Sequence, residues 1–347
     1  MIIVRAPLRW TVAGGGTDLP SYAFRFGGDV LTAAMDKYVY AIVNRPVIDD
    51  LIRVNWGIQK EVVPAVDELK NKLVRVSLQF IGITKQVEVS FMGDVPDGTG
   101  LGSSSAYTVA LLQALHFLKY RFTLLPKGLA EAACHVEIEM LGRPIGKQDQ
   151  YIAAFGGLRR LRIATDGSVK VEKPNISRKT LEDLKSNLLL FFTGERHDSV
   201  SILGEQKRLM ESGDDQGSTI SYYHQIKAIG EQIREALERG DLTGFGKLLH
   251  WHWMVKQNLP GGVSNQRFTK LYEKAIGLGV LGGKILGAGG GGFFLFFCEP
   301  GLQKSLCDTM EQEGLRKIKF DYDWRGAVLL PNFSGVVGEK ISFPKIS

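Results

Sequence analysis

The side chains in this sequence best suited to chemistry cluster in glycine-dense stretches. Between Asp94 and Tyr120 the chain reads DVPDGTGLGSSSAYTVALLQALHFLKY, with Gly98, Gly100 and Gly102 alternating into Ser103, Ser104 and Ser105. A helix that starts at these serines offers amide N–H groups with no internal partner, together with the positive end of its dipole. Glycine lets a backbone approach a phosphate closely, and the hydroxyls add donors, one of which can ligate Mg²⁺. The stretch therefore reads as an anion seat; an ordinary loop with a serine cap would not need three alternating glycines. A P-loop is excluded because no lysine follows Gly102. A dinucleotide fingerprint is excluded because Ser103 stands where its third glycine belongs.

Three further stretches carry candidates. Gly14, Gly15 and Gly16 run into Thr17 and Asp18, either a bend that presents a carboxylate or a turn in which Asp18 caps a helix over Leu19 to Phe26. The segment from Gly146 to Gly157, GKQDQYIAAFGG, places Asp149 among Lys147, Gln148 and Gln150; by itself such an aspartate reads as a surface turn. Near the C-terminus KILGAGGGGFFLFFC, from Lys284 to Cys298, reads as strand, glycine hairpin, strand. Four consecutive glycines are entropically costly, so this turn should pack against another backbone or against the phosphate loop.

The elements that must position these groups follow from periodicity. Gln86 to Phe91 alternates polar and apolar residues and reads as a half-buried strand, and Ala106 to Tyr120 reads as a helix with Val109, Leu112, Leu115 and His116 at helical spacing. Met1 to Val12 predicts a strand broken at Pro7, and Val30 to Val43 a long strand or hairpin. Leu73 to Ile83 predicts a helix, whereas Arg53 to Val63 gives no clear pattern. Pro126 suits the first position of a helix running to Leu141, with Gly142 as its stop and Glu137 beside its apolar stripe. Leu158 to Ile163 and Asn187 to Thr193 read as strands, and the charged segment between them as peripheral. Helices are expected over Ser199–Met210, Ile220–Arg239, Leu242–Gln257 and Asn265–Gly277, the first two separated by a polar turn from Glu211 to Gly217.

A chain of 347 residues exceeds one comfortable core, and we expect two domains, 1–185 and 186–347. Apolar residues make up 44% and charged residues 23%, ordinary values for a globular protein. The net charge of +6 and pI near 9.0 suit anionic substrates. The basic residues are dispersed, with no aromatic strip among them, so nucleic acid is not expected as a partner. Cys134, Cys298 and Cys307 are odd in number and lack metal spacing, which points to a reducing compartment. No run of roughly 18 apolar residues and no leader-like start is seen, so we expect a cytoplasmic protein with no membrane partner.

Taken together, the motifs resemble the GHMP small-molecule kinases, named for galactokinase, homoserine, mevalonate and phosphomevalonate kinases. Arg5 to Arg9 running into GGGTD resembles the family's first motif. Pro96 to Ala106 meets its second, P-x-x-x-G-L-G-S-S-[SA]-A, and Leu286 to Gly292 its third. The resemblance implies an α+β, two-domain architecture: an N-terminal domain like ribosomal protein S5 domain 2 and a C-terminal ferredoxin-like domain. It implies ATP and Mg²⁺ as cofactors, with ATP held by Pro96, Gly98, Gly100, Leu101, Gly102, Ser103, Ser104, Ser105 and Ala106. Ser104 and Glu137 would hold Mg²⁺, Asp149 would be the catalytic aspartate, and Arg9 would face the acceptor and the γ-phosphate. Asp18, with Gly15, Gly16, Thr17, Lys147 and Gln148, would hold a sugar or sugar phosphate. GGGTD, GKQDQY and LGAGGGG most resemble members that phosphorylate the anomeric hydroxyl of D-glycero-D-manno-heptose 7-phosphate, with fucokinases and galactokinases sharing part of the pattern. Where galactokinases read GEHTD this chain reads Gly14 to Asp18 without the glutamate, which argues against plain galactose. A 7-phosphate would need cations, for which Arg143, Lys147, Arg196, His197 and Lys256 are candidates. A related decarboxylase or a sugar sensor without turnover is the alternative, and a monomer or homodimer is expected.

Overall fold

The structure, a computed structural model, describes residues 1–196, 198–212 and 218–331. Its strands are β1 (Ile2–Ala13), β2 (Gly28–Asn44), β3 (Ile52–Trp56), β4 (Gln59–Val63), β5 (Val87–Gly93), β6 (Leu158–Ile163), β7 (Val169–Glu172), β8 (Leu188–Phe192), β9 (Gly282–Ile285), β10 (Phe293–Phe297), β11 (Arg316–Ile318) and β12 (Val328–Leu329). The helices are α1 (Pro20–Phe26), α2 (Lys72–Ile81), α3 (Ser103–Tyr120), α4 (Pro126–Cys134), α5 (Gln148–Phe155), α6 (Arg178–Asn187), α7 (Ser199–Ser212), α8 (Ser218–Arg239), α9 (Leu242–Lys256), α10 (Gln266–Gly277) and α11 (Gln303–Gln312).

Two sheets organise the chain. The first runs β12-β1-β2-β5-β3-β4, with β6 and β7 branching from β2. The branch exists because β2 is long: its start pairs with β6 and its end with β5. The second sheet has the order β11-β8-β10-β9 with every pairing antiparallel, and its strands alternate with α7–α10 and α11 in a ferredoxin-like arrangement. The fold is α+β, in two layered units that share an apolar core: Leu188, Phe245, Phe293 and Leu295 belong to the same buried cluster as Val4, Val89 and Leu112.

Several expectations change in detail. Pro7 does not break β1; it pairs with Tyr38 beside a register shift at Pro7/Leu8, and a bulge is where a strand tolerates proline. Val30 to Val43 is one strand, not a hairpin, and Arg53 to Val63 is a hairpin, β3–β4, turning at Gly57 (φ 59°). The segment before β8 forms β7 and α6. Helix α3 is buried on nearly every side rather than along one stripe, as expected of a helix apolar all round. The helix from Pro126 ends at Cys134 and continues as a π-helical stretch, His135–Met140, before Gly142 takes a left-handed φ of 66°. The turn expected at Glu211–Gly217 falls from 213 onward outside the described residues, and Glu211 and Ser212 are still helical.

Candidate active site

Arg9 is the hinge of the site. It lies on β1, 5% exposed, and its backbone N–H donates to the Leu101 carbonyl at 3.0 Å. Its guanidinium donates through Nε to Asp149 Oδ1 at 2.7 Å, through Nη2 to Asp149 Oδ2 at 2.9 Å and through Nη1 to the Gly100 carbonyl at 2.5 Å. One side chain thus ties the first strand, the glycine loop and the first turn of α5. The fork geometry that grips both carboxylate oxygens is the one arginine provides and lysine does not. Asp149 therefore stands in the cleft rather than on a surface turn. Gly102, with φ 76°, leaves room for it: a Cβ there would sit 3.0 Å from Asp149 Oδ2.

Asp18 does not cap α1, whose N-cap is Leu19. Its carboxylate is 2% exposed and accepts from the amides of Gly16 (3.1 Å) and Gln148 (2.9 Å), pinning GGGTD to the start of α5. Burial raises its pKa above the ordinary carboxylate value, with Asp149 adding to the effect. Thr11 Oγ1 donates to Gln148 Oε1 at 2.8 Å, completing this side of the cleft.

Glu137 projects from the π-helical stretch and is fully buried. Its Oε2 accepts from Gln150 Nε2 at 2.8 Å, and its Oε1 from Arg143 Nη1 at 2.5 Å. The same Arg143 nitrogen donates to Ser104 Oγ at 2.8 Å. Burial raises the Glu137 pKa, opposed by the Arg143 charge. Glu139 faces elsewhere, exposed and paired with His135. Among the described residues no cluster of three or more His, Cys, Asp or Glu could hold a metal. Ser104 and Glu137 nevertheless fit Mg²⁺, because a hydroxyl and a carboxylate oxygen converge on one positive group, the guanidinium, and Mg²⁺ commonly takes only one or two protein oxygens beside water and phosphate.

These groups line one cavity of about 250 Å³ between the two sheets. Gly98, Gly100, Gly102, Ser103, Ser104 and Ser105 line it from the loop, and Gly15, Gly16, Asp18, Gln148, Asp149, Arg9 and Glu137 from the same layer. Pro96, Leu101 and Ala106 do not: the Pro96 carbonyl accepts from Thr99 Oγ1, the Leu101 carbonyl from Arg9, and the Ala106 amide closes the first turn of α3 on Gly102. Two expected substrate contacts also lie outside the lining. Thr17 is fully buried and its hydroxyl donates to the Gly14 carbonyl at 2.8 Å; Lys147 Nζ donates to the Gly167 carbonyl at 2.8 Å and pairs with Glu131 at 3.6 Å. Of the cations considered for a distal phosphate, Arg143 and Lys256 line the cavity, Arg196 does not, and His197 lies outside the described residues.

The glycine hairpin closes the roof. A Cβ on Gly287 (φ 67°) would lie 2.6 Å from Gly100 Cα, and one on Gly292 (φ 84°) would strike the Thr99 carbonyl oxygen. The hairpin therefore packs its backbone on that of the glycine–serine loop, the close neighbour that four consecutive glycines led us to expect.

Comparison with known proteins fits this geometry. Residues 61–157 match the GHMP kinases N terminal domain and residues 233–315 the GHMP kinases C terminal domain. The sequence is 30% identical over 325 residues to a D-glycero-alpha-D-manno-heptose 7-phosphate kinase of Campylobacter jejuni, covering 90% of this chain and 94% of that protein.

The chain belongs to the GHMP kinase family.

This GHMP kinase is also 27% identical over 270 residues to a galactokinase of Pyrococcus furiosus, covering 71% of this chain and 73% of that one. A solved D-glycero-D-manno-heptose 1-phosphate kinase from Bacteroides thetaiotaomicron shares its fold with a TM-score of 0.77 at 24% identity, over 96% of this chain and 100% of the other. The present chain is an ATP-dependent sugar phosphotransferase. No helix among the described residues is long and apolar enough to cross a membrane.

Sequence reasoning missed Thr11, Tyr223, His252 and Lys284, all on the cavity wall. Lys284 had a readable signal, a lysine inside an otherwise apolar strand. His252, between two tryptophans on a helix, had none.

Proposed function

We propose that this GHMP kinase transfers the γ-phosphoryl group of ATP to the anomeric hydroxyl of D-glycero-D-manno-heptose 7-phosphate, giving the 1,7-bisphosphate for nucleotide-heptose synthesis. What carries the phosphoryl-transfer reading is the Arg9–Asp149 pair, set against Gly100 and Gly102 at the mouth of the serine-capped helix. The choice of heptose follows the similarity to the Campylobacter jejuni enzyme and the glutamate-free GGGTD bend.

Phosphoryl transfer asks chiefly for alignment and charge neutralisation. The amides from Gly100 to Ser105 and the serine hydroxyls would take the triphosphate, and Arg9 would oppose charge on the transferring group. Asp149 would orient the anomeric hydroxyl and accept its proton as the new P–O bond forms and the bond to the β-phosphate oxygen breaks. Ser104 and Glu137 would hold Mg²⁺, which supplies charge neutralisation on the phosphates when bound. Asp18, Gln148, Gly15 and Gly16 would hold sugar hydroxyls. The three free cysteines suit the reducing cytoplasm, where ATP and sugar phosphates are found.

The test is ADP release with D-glycero-D-manno-heptose 7-phosphate, fucose, galactose and N-acetylhexosamines side by side. The heptose phosphate should give the highest kcat/KM. A preference for fucose or galactose would move the chain to the neighbouring sugar-1-kinases, to which it is also similar.

A further inference from the structure

Two acidic groups of the cavity are answered from their own wall: Arg9 grips Asp149 and Arg143 grips Glu137. The facing wall, built by α9 and β9, is the reverse. Lys256 and Lys284 are only 9% and 2% exposed. Their hydrogen-bond acceptors are main-chain carbonyls: Ile285 (2.8 Å) and Gly287 (2.7 Å) for Lys256, and Val12 (2.8 Å) for Lys284. His252 stands one turn before Lys256, 2% exposed and on the cavity lining, and neither of its ring nitrogens has a hydrogen-bond partner. A buried imidazole without a partner has given up water for nothing, and buried ammonium groups without a carboxylate cost more still. An anion arriving in the cavity would supply the partners that this wall lacks.

We propose that His252, Lys256 and Lys284 form a seat for a phosphate group, and that the seat takes up a proton as the phosphate docks. This rests on the reading of the cavity as a phosphoryl-transfer site and adds a second phosphate-binding surface opposite the glycine–serine loop. Burial, then the charge of Arg9, pushes Lys256 down to about 7. Lys284 and His252 are pushed well below their ordinary values by burial and then by the neighbouring cations, Lys256 and Arg9 acting on Lys284, and Lys284 and Lys256 on His252. The charged groups acting on the seat are thus its own members and Arg9 on β1. A phosphate dianion reverses that balance and draws protons back. The phosphate has two possible sources, the acceptor's own phosphate or the terminal phosphate of the nucleotide.

Calorimetry of the full chain at about pH 8, in two buffers of different ionisation enthalpy, reads the proton directly. The probes are inorganic phosphate, a non-hydrolysable ATP analogue and D-glycero-D-manno-heptose 7-phosphate. We expect uptake of between roughly half a proton and one proton with at least one of them. Lys284→Met and His252→Asn should each weaken that ligand by roughly tenfold or more and reduce the uptake. Weaker heptose 7-phosphate binding with unphosphorylated heptose unchanged assigns the acceptor's phosphate. A weaker ATP analogue with ADP unchanged assigns the nucleotide's. Absence of uptake with all three probes, or unchanged affinities in whichever variant stays folded by circular dichroism, overturns the seat. A wrong heptose assignment shows differently, as no turnover of heptose 7-phosphate with phosphate-linked uptake intact.

Discussion

Arg9 and Asp149 share two hydrogen bonds, so neither can be changed without releasing the other. Asp149→Asn and Arg9→Met should each lower kcat by roughly 10²- to 10⁴-fold. The double variant should be little worse than the poorer single one, because the two act as a unit; losses that simply multiply would show independent roles. Lys256 carries a pH signature of its own. Its folded pKa, about 7, lies below the unfolded value, so between about pH 7 and 10 the unfolded chain binds more protons and stability rises with pH. Denaturant unfolding at about pH 7 and 9 should therefore show a larger gain in the wild type than in Lys256→Met, which keeps the contribution of the likewise depressed Lys284; equal gains in both proteins would contradict the buried, depressed Lys256 amine. Asp149 was legible in the sequence only through its motif, since by itself it sits among polar neighbours and its partner lies 140 residues away. His252 and Lys284 acquire meaning only when α9 and β9 are packed against β1.

The β9–β10 hairpin and the loop before α3 meet backbone to backbone, with glycine where a side chain would intrude. Gly292→Ala places a Cβ against the Thr99 carbonyl at a left-handed φ of 84°, and should cost about 1–3 kcal/mol of stability and raise the KM for ATP. Gly301→Ala, which meets nothing and needs no unusual φ, should leave both unchanged. Equal effects of the two substitutions in thermal unfolding and kinetics would remove the case for a seated hairpin. That four glycines required a close neighbour was readable from composition; which backbone they meet was not. The π-helical stretch around Glu137 was also invisible beforehand, because its residues suit an ordinary helix as well.

At the scale of the molecule, one apolar cluster runs from β1 and α3 through β8 and β10 to α8 and α9. Because that cluster spans both layers, heating should give a single cooperative transition in calorimetry, with calorimetric and van't Hoff enthalpies in agreement; two resolved peaks would mean that the layers melt separately. Chain length and the family resemblance foretold two domains, but not the crossing of the chain's last described strand onto the first. β12 pairs with Val4 and Arg5, and Met35 bridges to Tyr322. During synthesis, then, a nascent chain that has already delivered every other strand of that sheet still exposes the unpaired edge of β1. The ribosome must make well over a hundred further residues before residues 328 and 329 emerge to cover Val4 and Arg5, so newly made protein passes through an interval in which this part of β1 is open to edge-to-edge association that β12 later blocks.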